Sequence, residues 1–105
     1  NDIYEFGRAT INFSRHEVEV AGEPRQLTRL EIELLRHFAE NPGRVVSRAE
    51  LLEQVWQHES APNSRTVDNF IVRLRRHFEE DPQKPAFFLS VRGAGYKFVP
   101  TGDQR

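Results

Sequence analysis

The run Ser64-Arg65-Thr66-Val67-Asp68-Asn69-Phe70-Ile71-Val72-Arg73-Leu74-Arg75-Arg76-His77-Phe78 decides how the rest of the chain is read. At about 100° per residue, Val67, Ile71, Leu74 and Phe78 fall in one narrow arc, while Arg65, Asn69, Val72, Arg73 and Arg76 fall opposite. The spacing predicts one helix with a core face and a basic face. Its arginines, Arg65, Arg73, Arg75 and Arg76, stand against a single acid, Asp68, in a chain of formal net charge −1. A cationic stripe on one helix of a small domain is the pattern of an element that reads the major groove of DNA. It also fits a solvated face whose arginines pair with acids, for which the helix offers only Asp68.

Towards the amino terminus, Gln57 to Asn63 is polar, contains Pro62 and has no periodicity, so it reads as a loop. Before it, Leu51, Leu52, Val55 and Trp56 give an apolar face to a short second helix. That helix opens on Ser47-Arg48-Ala49-Glu50, the pattern of a capping box. A first helix opens the same way at Thr28-Arg29-Leu30-Glu31, buries Leu30, Leu34, Leu35 and Phe38, and stops at Asn41-Pro42-Gly43. Arg44-Val45-Val46 reads as a brief extended link. From Tyr4 to Leu27 the alternation is short, through Tyr4 and Phe6, Ile11 and Phe13, Val18 and Val20. Three or four short antiparallel strands are expected there, laid as a platform against the helices because such strands are not stable alone.

Towards the carboxy terminus, Glu79-Glu80-Asp81-Pro82 ends the basic helix. Phe87 to Val91 and Tyr96 to Val99 are β-type runs separated by Arg92-Gly93-Ala94-Gly95, a hairpin with a basic tip. The glycines resemble a phosphate-cradling loop, yet the dinucleotide spacing and the following helix are missing. Thr101 to Arg105 carries no pattern and is expected to fray.

A chain of 105 residues is one domain, with a core spanning about residues 4 to 99. It has no cysteine, hence no disulfide framework and no zinc-finger spacing. No apolar run approaches the roughly 18 residues needed to cross a bilayer, and no signal peptide is evident, so a cytoplasmic protein without a membrane partner is expected. Charge is segregated: up to Pro24 there are only Arg8 and Arg15 against Asp2, Glu5, Glu17, Glu19 and Glu23. Local potential, not the total, governs encounter with phosphate, and the acidic part is expected to face away from it.

Catalysis has no candidate constellation. His16, His37, His58 and His77 lie in four different predicted elements without ligand spacing, which places them at the surface or rim. No nucleophile elbow or paired acid and base is present, and no small-molecule substrate or cofactor is implied. Trp56 reads as a core or rim residue whose indole N–H can reach a phosphate.

Six segments in order are similar to one family. They are Leu27 to Leu35, Asn41 to Arg48, Leu51 to Trp56, Ser64 to Asp68, Arg73 to Arg76 and Val91 to Phe98. Together they resemble the winged-helix effector domain of OmpR/PhoB-type response regulators, over roughly Tyr4 to Val99. The resemblance implies an α+β winged helix-turn-helix: an amino-terminal antiparallel sheet, three helices and a carboxy-terminal hairpin wing. It implies the third helix, residues 64 to 78, in the major groove of promoter DNA and the wing, residues 88 to 99, at the minor groove. By matching position, Arg65, Thr66, Arg73 and Arg75 are implied as phosphate or base contacts, and Trp56, Ser90, Arg92 and Tyr96 as backbone or wing contacts. The loop 57 to 63, with His58 and Glu59, is implied to touch RNA polymerase, and two copies are implied to bind direct repeats in tandem.

Where many members carry Val-His, this chain has Asn69-Phe70, and Val72 replaces a commonly polar or basic residue. Asn69 has the chemistry to bond adenine and Val72 to pack on a thymine methyl, with Arg76 beside them on the basic face. Phe70 lies at the edge of the apolar arc and is expected to pack rather than meet phosphate. The family's regulators carry a phosphorylatable receiver domain, which nothing in these residues resembles. An excised effector domain of a two-component regulator, or a member with another sensing module, is expected. The rival from another class is a winged helix that docks its basic helix on an acidic protein. A nuclease comes third, lacking a metal-binding carboxylate cluster.

Overall fold

The computed structural model describes residues 2–102 and begins with a four-stranded antiparallel sheet. Its strands are β1 (Ile3–Phe6), β2 (Ala9–Asn12), β3 (Glu17–Val20) and β4 (Glu23–Arg25), paired in chain order. Ala9 faces Val20 and Ile11 faces Val18 across β2 and β3, all four buried, while Glu17 and Glu19 point to solvent. The alternation thus separates a core face from an acidic outer one.

Helix α1 (Arg29–Glu40) has the expected reciprocal capping box. Glu31 Oε1 accepts the Thr28 N–H at 2.7 Å and Thr28 Oγ1 accepts the Glu31 N–H at 3.2 Å. Helix α2 (Arg48–Gln54) is capped only one way, by Ser47 Oγ accepting the Glu50 N–H. The Glu50 carboxylate turns instead to Arg44 and His37, whose charged and polar hydrogens outbid a backbone N–H. The helix also stops at Gln54, earlier than its apolar pattern suggests, leaving Val55 and Trp56 buried in the turn that follows. Helix α3 (Ser64–Phe78) has the predicted bounds, and its buried residues are Val67, Ile71, Leu74 and Phe78. Asn63 caps it, paired reciprocally with Thr66.

A correction concerns Val45–Val46, read from the sequence as a link. They form strand β5, which pairs with β7 (Gly95–Phe98), itself paired with β6 (Phe88–Val91), in the order β5-β7-β6. Two residues carry too little period to announce a strand; their partner Tyr96-Lys97 makes them one. The wing is therefore the outer part of a three-stranded sheet. Its root is stitched to the platform through aromatic rings: Phe6 meets Phe98 edge-on with centroids 4.9 Å apart, and Phe88 stacks on Phe98 at 5.1 Å. The stretch expected to fray lies partly outside the described residues; within them the Gly102 N–H still bonds the Val99 carbonyl at 3.0 Å.

Candidate nucleic-acid interface

Burying Val67, Ile71, Leu74 and Phe78 fixes the rotation of α3, and that alone turns Arg65, Asn69, Val72, Arg73 and Arg76 outward to exposure. Among the described residues, Arg65, Arg76 and Arg92 have no ion pair and no side-chain hydrogen bond. Arg73 has no acid either; its guanidinium lies 4.3 Å over the Phe70 ring centroid. Val72, 42% exposed, supplies an apolar spot between these charges. Arg8, Arg15, Arg29, Arg44 and Arg48 each face a carboxylate, whereas Arg25 and Arg36, outside α3 and the wing, also have no ion pair among the described residues, Arg36 lying 4.7 Å over the Phe13 ring centroid.

The one acid of α3 is withdrawn from the basic face. Asp68 Oδ1 accepts from Arg48 Nε at 2.7 Å and from the Tyr96 hydroxyl at 2.6 Å. Burial pushes the Asp68 carboxyl up, but the bonds from Tyr96 and Arg48 outweigh it and hold the group below its usual range. Burial, and then the same bond, push the Tyr96 phenol up. Three elements, α2, α3 and β7, thereby meet on one carboxylate.

Five of the residues that the sequence assigns to DNA sit differently from the free set. Thr66 is occupied with the helix cap. Arg75 donates from Nε to the Phe88 carbonyl and from Nη2 to Ser90 Oγ, both at 3.0 Å, so it ties α3 to β6. Ser90 is exposed, and its own hydroxyl proton remains free to donate. Tyr96 is 6% exposed, with its hydroxyl given to Asp68. Trp56 is 2% exposed and packs edge-on against Phe70 with centroids 5.1 Å apart. Among the described residues its indole N–H has no acceptor and no fully buried side-chain polar atom lacks a partner, so that N–H occupies the remaining sliver of surface.

Arg92 is exposed at the tip of the wing, beside Gly93, where an added side chain would meet open space. The other tip glycine has a different reason. A Cβ at Gly95 would collide with the Val46 carbonyl oxygen and lie 2.8 Å from the Ser47 Cα, at a φ of 141°. Gly95 is glycine so that β5 can pack on β7, not to admit an outside molecule. In the loop before α3, His58 is exposed, while Glu59 reaches back to Arg29 at 3.0 Å and is half-buried.

Sequence reasoning missed Arg48, Glu79 and the full place of Phe70. Glu79, 7% exposed, accepts the N–H groups of Ala86, Phe87 and Phe88 at 2.8, 3.0 and 2.9 Å. It ties the end of α3 to the start of β6. Within a run read as a helix stop, nothing distinguished it from Glu80 or Asp81. Among the described residues no three acidic or histidine side chains converge as for a metal, and no helix is long and apolar enough to cross a membrane.

A sheet platform, three helices and a hairpin wing, with unpaired arginines on the third helix and at the wing tip, define a winged-helix domain. Residues 22–98 match the family described as "Transcriptional regulatory protein, C terminal", and the chain belongs to that family, the OmpR/PhoB-type effector domains. It is 44% identical over 98 residues to the aerobic respiration control protein ArcA of Escherichia coli, covering 92% of this chain and 41% of ArcA. The chain thus spans about two fifths of the length of the curated relatives it matches. Among solved structures, the response regulator DrrB of Thermotoga maritima, an OmpR/PhoB homolog, matches with a TM-score of 0.84 at 36% identity, over 94% of this chain and 45% of DrrB. The RstA DNA-binding domain of Klebsiella pneumoniae, solved in complex with the RstA box, matches at 0.81 and 28% identity, over 95% and 99%.

Proposed function

We propose that this chain is a sequence-specific double-stranded DNA-binding domain, one winged helix that serves as the effector of a bacterial two-component transcription regulator. The observation that carries this reading is the set Arg65, Arg73, Arg76 and Arg92, none of them facing an acid among the described residues, in a chain of net charge −1. A guanidinium without a counter-ion inside the molecule is open to an anion from outside, and a phosphate backbone supplies a row of them. In this reading α3 lies in the major groove. Arg73 bonds a guanine edge, Asn69 an adenine edge, and Val72 packs on a thymine methyl. Arg65 and Arg76 meet phosphates, joined by the Trp56 indole N–H, the Ser90 hydroxyl and the amino end of α3 at Thr66. Arg75 and Tyr96 act by fixing the wing, which carries Arg92 to the minor groove.

The test is selection of bound duplexes from a random pool, followed by affinity measured against salt. A single preferred sequence, with affinity falling steeply as salt rises, is the expected result. Affinity with no sequence preference would reduce the role to phosphate binding, and no affinity would favour an acidic protein partner. Two finer roles belong to the same proposal: two copies side by side on direct repeats, and the loop 57 to 63 against RNA polymerase. Replacing His58 alone, which is exposed and bears no part of the fold, is expected to lower activated transcription while operator binding stays within about twofold.

A further inference from the structure

We propose that Phe70 is a positioning residue for Arg73: its ring is the shelf on which that guanidinium is laid out before it meets a base. This rests on the assignment of Arg73 to the DNA contact above. The two residues are one helical turn apart, and the Arg73 guanidinium carbon lies 4.3 Å from the Phe70 centroid, inside the range of a cation–π contact. The shelf is itself fixed from beneath. Phe70 is half-buried and meets the buried Trp56 ring edge-on at 5.1 Å and 83°. Trp56 sits where α2 gives way to the loop, so Phe70 rests on the core and not merely on its own helix.

A guanidinium stacked by its face loses no hydrogen-bond donor, because all five N–H groups lie in the plane and point outward at its edge. The same planar edge is what reads guanine O6 and N7, so stacking and reading are compatible at once. An unstacked arginine would have to surrender its rotamer freedom on meeting DNA; the Phe70 ring removes part of that freedom beforehand. Arg65 and Arg76 on the same face have no such contact among the described residues, which sets Arg73 apart from them.

The experiment is a double-mutant cycle in the 105-residue chain, with a duplex selected by the unaltered protein as probe. Phe70→Leu is expected to weaken binding about two- to fivefold, the size of an exposed cation–π contact, and Phe70→Tyr to restore it. In an Arg73→Ala background, Phe70→Leu is expected to change nothing further. An equal loss in both backgrounds would mean that Phe70 acts through the fold, and would overturn the proposal. So would an unchanged or tighter affinity for Phe70→Leu beside a clear loss for Arg73→Ala, because the stack would then be idle or restraining. If Arg73→Ala itself loses nothing, the assignment of Arg73 to DNA fails first, a result distinct from failure of the shelf alone.

Discussion

The two sides of α3 use the same residue type in opposite ways. On the side towards the wing, Arg75 is spent on the Phe88 carbonyl and Ser90, Asp68 on Arg48 and Tyr96, and Glu79 on three backbone N–H groups. On the outer side, Arg65, Arg73 and Arg76 meet no acid among the described residues. A cation with a fixed acceptor inside the molecule adds to the stability of the fold. One without such an acceptor adds repulsion and is available to an anion from outside. The wing side should therefore be sensitive in unfolding experiments, and the outer side in binding experiments.

The largest effect should come from Glu79→Ala, which strands three N–H groups at the root of the wing. Removing the acceptor from one buried and two part-buried donors is expected to cost about 2–4 kcal/mol in urea unfolding. A loss below half of the lower figure would mean that water replaces the carboxylate and that the two sides differ less than their bonding suggests.

Arg73→Ala comes next and tests the other side. It should weaken binding of the selected duplex by about 1–3 kcal/mol while leaving the unfolding midpoint in place. A fall in the midpoint with affinity unchanged would reverse the division of labour between the two sides.

Arg92→Ala is expected to cost about 1 kcal/mol, and more where the site is flanked by A·T pairs than by G·C pairs. A narrow A·T groove concentrates negative potential, which an inserted guanidinium senses without a base-specific bond. Arg92→Lys should recover only part of the loss, since an ammonium is more strongly hydrated. Equal losses on both flanks would reduce the tip to a phosphate contact.

The smallest effect sharpens the comparison at a paired site outside α3. Glu50 has its pKa lowered from 4.5 to about 2, chiefly by the bond from Arg44 and next by that from His37. A carboxyl lowered in the folded state binds its proton more readily when unfolded, so its contribution is present above pH 4.5 and is lost as pH falls towards 2. Glu50→Gln should flatten that part of the stability profile, by less than about 1 kcal/mol because Arg44 and Glu50 lie near the surface. A profile that Glu50→Gln leaves unchanged would assign the acid sensitivity to Asp68, whose pKa is also lowered.

The sequence by itself determined the elements whose signals are local. The bounds of α3 follow from four apolar residues in one arc, the start of α1 from a reciprocal cap, and the exposure of Arg65, Asn69, Val72, Arg73 and Arg76 from the same rotation. Six ordered segments were enough to place the chain in its family. What only the tertiary structure decided are the contacts between residues far apart in the chain. Val45 and Val46 are a strand because Tyr96 and Lys97 lie beside them, and Gly95 is glycine because their backbone presses on it. Asp68 leaves the basic face because Tyr96 and Arg48 reach it, and Arg75 becomes a tie because Phe88 and Ser90 are within its span. Helical periodicity fixes which way a side chain points, but which acceptor waits there depends on packing between elements that no local pattern encodes.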